Sequence, residues 1–359
     1  MNTMLRKILH KPLFIKLFHW EYWPFNAVYG PVYIYWLWLC IKARSFFFFN
    51  TSNPTITNGG FLLESKKAIY DIIPQTYYPS TLFFKHDIDH KRLLCELNRS
   101  SIKFPMIGKP DIGGKGKGVK KLHDYTELID YVNKSKVDFL LQEFISYKNE
   151  AGIFYCRMPG ENRGFISGIV EKEFLTVTGD GTSTIHQLLQ KDKRFILQLP
   201  ALEKMYKERL DAVLMQDESC LLVPYGNHAR GAKFIDASFL ADEALTTVID
   251  NVCQTIPGFY FGRLDIRFNN WEELKQGKNF SIIELNGAGS EPTHMYDPCH
   301  SILFAWKEIV RHWKILYKIS VLNHKHYQID YMNFSSGVRM LHENSRYVKL
   351  ISKEEKQRA

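Results

Sequence analysis

At 359 residues, with 45% hydrophobic and 24% charged side chains, the chain is long enough for roughly two or three packed subdomains and too apolar to be disordered. Its formal charge of +9 implies an anionic partner, either nucleotide phosphates or an acidic membrane surface. Nucleic acid is excluded as the main partner, because no basic stripe is interleaved with stacking aromatics. Six scattered cysteines without a CxxC pair exclude a zinc site and point to free thiols in a reducing, cytoplasmic setting.

Much of the aromatic excess falls in residues 1–50. The stretch 22-YWPFNAVYGPVYIYWLWLCI-41 is uncharged and as long as a bilayer span. Pro24, Asn26, Gly30 and Pro31, however, confine its unbroken apolar helix to 32–41, half of a span. Trp20, Trp23, Trp36 and Trp38 suit a headgroup-level position on the inner face of a membrane, or equally an aromatic segment packed in the core or in a homodimer. Both readings stand at this level. No small-residue cleavage site follows the apolar run, which argues against a secretory leader.

A turn-rich stretch, 51-TSNPTITNGG-60, opens a short subdomain over 51–105. Helical spacing runs over 66–73, 81-TLFF-84 reads as a strand, and 87–101 as a helix with an aspartate near its N-cap. The cluster 86-HDIDH-90 is therefore a helix start rather than a metal site. The main unit spans 106–323. It begins with the strand 104-FPMIGKPD-111 and the loop 113-GGKGKG-118, followed by a helix over 119–134 and the strand 137-VDFLLQEFI-145. Strands over 151–158 and 164–174 flank a turn, and 179-GDGTST-184 opens a helix. The region 198–222 reads as helical, as does 239–256. Strands 261-FGRLDIRF-268 and 280-FSIIELN-286 close the unit before a helix from Ser301. The basic tail, 324–359, reads as a solvated face. Strands and helices mixed with hairpins give an α+β class.

Two features carry chemistry. Lys109 ends an apolar strand, and the glycines behind it let backbone N–H groups approach phosphate oxygens without Cβ clashes. The spacing is neither a Walker A loop nor a dinucleotide fingerprint. Downstream, alternation puts Arg263, Asp265 and Arg267 on one strand face, and Ile282, Glu284 and Asn286 on one face of the next. If the two strands pair, Asp265, Glu284 and Asn286 converge as an all-oxygen set suited to Mg²⁺ or Mn²⁺.

The ordered set of strand, Lys109, Pro110 and glycine-rich loop, then Gln142-Glu143-Phe144-Ile145, Arg263-Leu264-Asp265 and Glu284-Leu285-Asn286 resembles the ATP-grasp superfamily. It looks most like the carboxylate–amine ligases of that superfamily, such as D-alanine–D-alanine ligase and cyanophycin-synthetase-like enzymes. The phrase 176-TVTGDGTSTIHQLL-189 is similar to one in the latter, and 227-NHARG-231 to a motif of amino-acid-tagging ligases. The resemblance covers residues 80–300. It implies two α+β subdomains clasping ATP, with the short aromatic N-terminal region outside them.

The resemblance further implies that Lys109 binds ATP phosphates while Gly113, Gly114, Gly116 and Gly118 close over them, with Lys115 or Lys117 adding charge. Glu143, Phe144 and Ile145 would form the adenine-reading hinge, and Glu150 would hold the ribose. Asp265, Glu284 and Asn286 would hold the metal, with Arg263 and Arg230 as catalytic cations. The implied reaction makes an acyl phosphate and then an amide, releasing ADP and phosphate. After Asn286 the chain departs from D-alanine ligases, reading 287-GAGSEPTHMYDP-298, so Glu291, His294 and Tyr296 point to another substrate. A membrane-surface scaffold without turnover, or a phosphotransferase that stops at phosphorylation, are the alternatives.

Overall fold

The computed structural model describes residues 12–114, 116–223, 226, 228 and 231–358. Its eleven described strands are β1 (Thr81–Phe84), β2 (Met106–Pro110), β3 (Lys120–Leu122), β4 (Phe139–Glu143), β5 (Asn149–Cys156), β6 (Phe165–Glu173), β7 (Leu175–Thr178), β8 (Ser219–Val223), β9 (Lys233–Asp236), β10 (Phe261–Phe268) and β11 (Phe280–Asn286). They form a four-stranded sheet in the order β1-β4-β2-β3, a five-stranded sheet in the order β11-β10-β5-β6-β9, and the pair β7-β8. Every pairing is antiparallel, and the α+β class expected from the sequence is the one observed.

Local chemistry sets the helix starts. Asp89 caps His90–Arg99 by accepting from the Arg92 amide at 3.0 Å, the bland role expected for 86-HDIDH-90. Asp124 caps Tyr125–Lys134 through the Glu127 amide, and Thr184 with Gln187 forms a capping box ahead of Ile185–Lys191. Two expected helices are shorter than the sequence suggested. Residues 120–122 pair with β2 as β3 before Asp124 stops the strand, and the helical stretch after 198 gives way to β8 at Ser219.

The larger sheet is covered on both faces. On one side Leu264, Ile266, Phe268 and Ile282 pack against Leu245, Ile249 and Val252 of the helix Glu243–Gln254. On the other, Phe154 and Phe261 meet Leu39 and Phe47–Phe49 of the N-terminal segment, with Leu316 and Ile319 of the long helix Ile302–Tyr327. The aromatic segment thus completes the core. It is tied down by Asn53, which is fully buried. Its side-chain amide donates to the carbonyls of Gly59 and Phe261 at 2.9 and 2.8 Å, and its oxygen accepts from the Tyr260 and Phe261 amides at 2.9 and 3.0 Å. Asn323 donates to the carbonyls of Thr51 and Ser52 from the long helix.

The basic tail is not simply solvated. Residues Phe334–Arg358 form a helix whose Met340, Ile351 and Glu354 are buried. Ser352 accepts from the Lys117 ammonium at 2.9 Å, so this helix reaches the glycine-rich loop.

Candidate active site

A cavity of about 660 Å³ lies between the two larger sheets. The four-stranded sheet contributes Ile107 and Lys109 from β2, and Gln142 and Glu143 from β4. The five-stranded sheet contributes Glu150, Lys172, Arg263, Asp265, Arg267 and Glu284. Gly113, Gly114, Gly116 and Lys117 line one rim, and Phe144 and Ile145 continue from the end of β4. Gly118, the last of the loop glycines, is left-handed at φ 71° but does not line the cavity.

Lys109 is buried, and its ammonium donates to the Tyr70 hydroxyl and Gln142 Oε1 at 2.8 Å each, and to the Ile283 carbonyl at 3.2 Å. Among the described residues no carboxylate lies within ion-pair distance of it. Burial pushes its pKa down to about 8, against the pull of the more distant Glu284 and Asp111. Gly108, just before it, has no room for a side chain, since a Cβ there would sit 2.9 Å from the Tyr131 ring.

Asp265 is almost enclosed. Arg263 grips it with two bonds, Nε to Oδ1 and NH2 to Oδ2, both 3.0 Å, and Lys172 stands 3.1 Å from Oδ1. Burial would raise the Asp265 carboxyl, but Arg263 and Lys172 outweigh it and hold the pKa at about 2. Burial likewise works against the Lys172 ammonium, and Asp265 with Glu150 reverses that and raises it. This cradle needs Gly152 opposite Asp265, where a Cβ would meet Oδ1 at 2.9 Å and Arg263 Cδ at 3.0 Å.

Glu284 pairs directly across from Asp265, and a bulge follows at once, because the next partners are Ile266 and Ile282. The bulge corrects the simple alternation. Ile282 turns into the core, while Ile283 and Glu284 both line the cavity. Glu284 is partly open, with Lys66 at 3.7 Å. Asn286 pairs with Arg263 at the far end of the strand and does not line the cavity, and its Nδ2 has no partner.

The other expected residues divide. Glu143 lies at the lip, where its carboxylate accepts from the Ser80 amide at 3.3 Å, and the Lys121 ammonium stands 3.8 Å over the Phe144 ring. Glu150 is buried with both oxygens engaged, by Lys172 and by Arg267 at 2.9 Å each. Glu291 lines the cavity and accepts from Tyr296 at 3.1 Å. His294 does not line it, because its ring turns to Glu308 at 3.0 Å and packs against Gly168. Lys115 and Arg230 lie outside the described residues.

No protein-family profile matches the sequence, and no curated protein matches it. Among solved structures the chain is distantly similar to several ligases and a synthetase. One is a D-alanine–D-alanine ligase from Bacillus anthracis, at 13% identity over 73% of this chain and 67% of that one, TM-score 0.40. Another is the VanG D-Ala:D-Ser ligase from Enterococcus faecalis, at 14% over 72% and 61%, TM-score 0.39. A third is a bifunctional glutathione synthetase from Pasteurella multocida, at 12% over 65% of this chain and 33% of that one, TM-score 0.38. The chain therefore spans only 33% of the length of that synthetase.

Several lining residues escaped the sequence reading. Lys172 shares its strand face with buried Val170, and a charged residue at an inward position was the available signal. Lys66, on the cavity wall, and Tyr70, which accepts from Lys109 behind it, come from a helix whose spacing announced only packing. The N-terminal segment also reaches the cavity through Lys16, Glu21, Tyr22, Trp23 and Phe25. Trp20 anchors it by stacking on Tyr296 at 5.6 Å and donating to the His300 carbonyl at 2.8 Å.

Proposed function

We propose that the chain is an ATP- and Mg²⁺-dependent ligase that joins a carboxylate to an amine, releasing ADP and phosphate. The observation that carries this reading is Lys109, a buried ammonium facing a cavity with only neutral partners around it. Such a charge is costly unless an anion completes its surroundings, and a phosphate supplies that anion. The flanking glycine loop offers backbone N–H groups on the same rim.

Glu284, open to the cavity, and Asp265, directly opposite it and shared with Arg263 and Lys172, are the carboxylates that would hold a hard divalent cation. No group of three or more His, Cys, Asp or Glu side chains suited to a metal occurs among the described residues. A Mg²⁺ held there would take its remaining ligands from phosphate and water. When bound, it would neutralise charge on the transferring phosphoryl group.

In the first step a substrate carboxylate oxygen bonds to the γ-phosphorus as the bond to ADP breaks. Arg263, held by Asp265 on the cavity wall, would stabilise the developing negative charge. In the second step the amine nitrogen bonds to the acyl carbon and phosphate leaves. The amine proton then needs an acceptor, and we assign that role to Glu291 on the cavity wall.

The test is ADP release with mixtures of candidate acids and amines, with hydroxylamine to trap an acyl phosphate as a hydroxamate. Formation of AMP, or full turnover in Glu284→Ala, would refute the assignment.

A further inference from the structure

The outer surface of the N-terminal segment has a one-sided chemistry that the cavity does not explain. In the helix Tyr33–Ala43, Ile34, Leu37, Trp38 and Ile41 recur at the spacing of a single helix face. All four are exposed, Ile34 at 77% and Ile41 at 74%. The opposite face, Leu39, Cys40 and Ala43, is the one buried against the long helix. The helix is thus apolar on both sides, and only one side is covered. In the preceding helix Pro12–Phe18, Ile15 is buried while Leu13 and Leu17, one turn apart, are exposed at 75% and 59%.

Within this segment the exposed charge has one sign. From Pro12 to Leu63 the sole carboxylate is Glu21, which is buried. The exposed charges are Lys16, Lys42 and Arg44, and the Lys42 ammonium lies 4.5 Å over the Trp38 ring. Surfaces that face only water normally intersperse both signs and avoid large apolar stripes. Exposed Leu, Ile and Trp flanked by cations alone match the surface of an anionic bilayer, with side chains entering the acyl boundary and ammonium groups at the phosphates.

We propose that this face docks the protein on an anionic lipid surface, lying in the interface rather than crossing it. Among the described residues no helix is long and apolar enough to cross a membrane. Self-association fits less well, because a two-fold contact through this face would bring its cations together without carboxylates to offset them.

The experiment is flotation of the full chain with phosphatidylcholine vesicles, with and without phosphatidylglycerol, at low and high salt. The expected result is partition onto the anionic vesicles that weakens with salt. The variant Ile34→Ser/Leu37→Ser/Ile41→Ser should partition at least about 100-fold less, given the apolar area removed. Lys42→Gln/Arg44→Gln should lose about 25-fold on anionic vesicles and keep its weak affinity for neutral ones. All five positions are exposed, and circular dichroism melts check that each variant folds. If the serine variant does not fold, the charge variant decides alone. Wild-type partition by either variant, or equal binding to both vesicle types, overturns the proposal. A dimer that the serine variant abolishes, in the absence of vesicle binding, overturns it in favour of self-association.

Discussion

Asp265 and Glu284 face one another across β10 and β11, and the register slips immediately after them. Their surroundings nonetheless differ. Asp265 is enclosed by two cations at 3.0 and 3.1 Å, while the Glu284 side chain is 31% exposed with Lys66 at 3.7 Å. Glu284→Ala should therefore leave the fold intact and lower ATP turnover by about 100-fold or more. Asp265→Asn should also destabilise the protein by about 3–5 kcal/mol, because Arg263 and Lys172 lose the buried anion between them. Thermal melts alongside ADP release separate the two effects, and an Asp265→Asn protein as stable as wild type would contradict the enclosed-charge account.

Lys109 should make nucleotide affinity depend on pH. Burial depresses its pKa to about 8, so the free protein loses this proton as pH rises through that value. A bound phosphate favours the ammonium and raises the pKa again. Affinity for ATP should then be flat below about pH 7 and weaken by up to about tenfold per pH unit above pH 8. The same depression gives a stability term of definite sign. It is fully present above the ordinary lysine range and is lost as pH falls through about 8. Calorimetric titration of ATP across this range, with Lys109→Met expected to show weak and pH-independent binding, checks the assignment.

The C-terminal helix restrains the glycine loop. Ile351 is 1% exposed and lies where a Cβ on Gly113 would come within 3.0 Å of it, and Ser352 holds Lys117. Ile351→Ser removes that packing at a cost of about 2–5 kcal/mol locally. Amide hydrogen exchange over 112–118 should accelerate at least about tenfold while β5 and β10 keep their protection. Uniform acceleration across the chain would mean that the helix supports the whole fold instead.

Acid should unfold this protein through a buried cluster on the long helix. His312 donates from Nδ1 to the Glu308 carbonyl (2.8 Å) and accepts at Nε2 from the Ser167 hydroxyl (3.0 Å), and burial with Arg311 nearby drives its pKa down to about 3. Burial pushes Glu308 up, but His294 and Arg311 outweigh it and hold the carboxyl at about 2. Both groups bind protons more readily when unfolded. Stability is therefore lost as pH falls from the ordinary histidine range toward 3, and more steeply once carboxylates titrate, at about 1.4 kcal/mol per pH unit per group. Urea midpoints should drop between about pH 7 and pH 5, and His312→Asn should flatten that first decline.

Much of the frame was legible because it follows from local rules. The strands carrying Lys109, Asp265 and Glu284 are apolar runs, and the helix starts at Asp89 and Thr184 are capping signatures. Pairing of Asp265 with Glu284 follows from two strands joined by a short connection. What did not follow was any feature set by long-range packing. The bulge that turns Ile282 inward has no signature in 280-FSIIELN-286, and the neutral partners of Lys109 come from three separate segments. Likewise, nothing in residues 334–358 announces that Ile351 will sit against a glycine loop more than two hundred positions earlier.

The four hydrogen bonds of Asn53 have a practical side. Three of them join the chain just after the aromatic segment to Tyr260 and Phe261, where the strand that carries Asp265 begins, and they do so in the dry interior. A truncation that begins near residue 50 would keep Asn53 yet uncover Phe154, Phe261 and Leu316, which Leu39 and Phe48 now shield. The shortened protein should therefore be recovered as aggregates or only with detergent. That insolubility would come from a bared core and would say nothing about lipid. Trimming the first fifty residues to improve yield would remove a wall of the cavity.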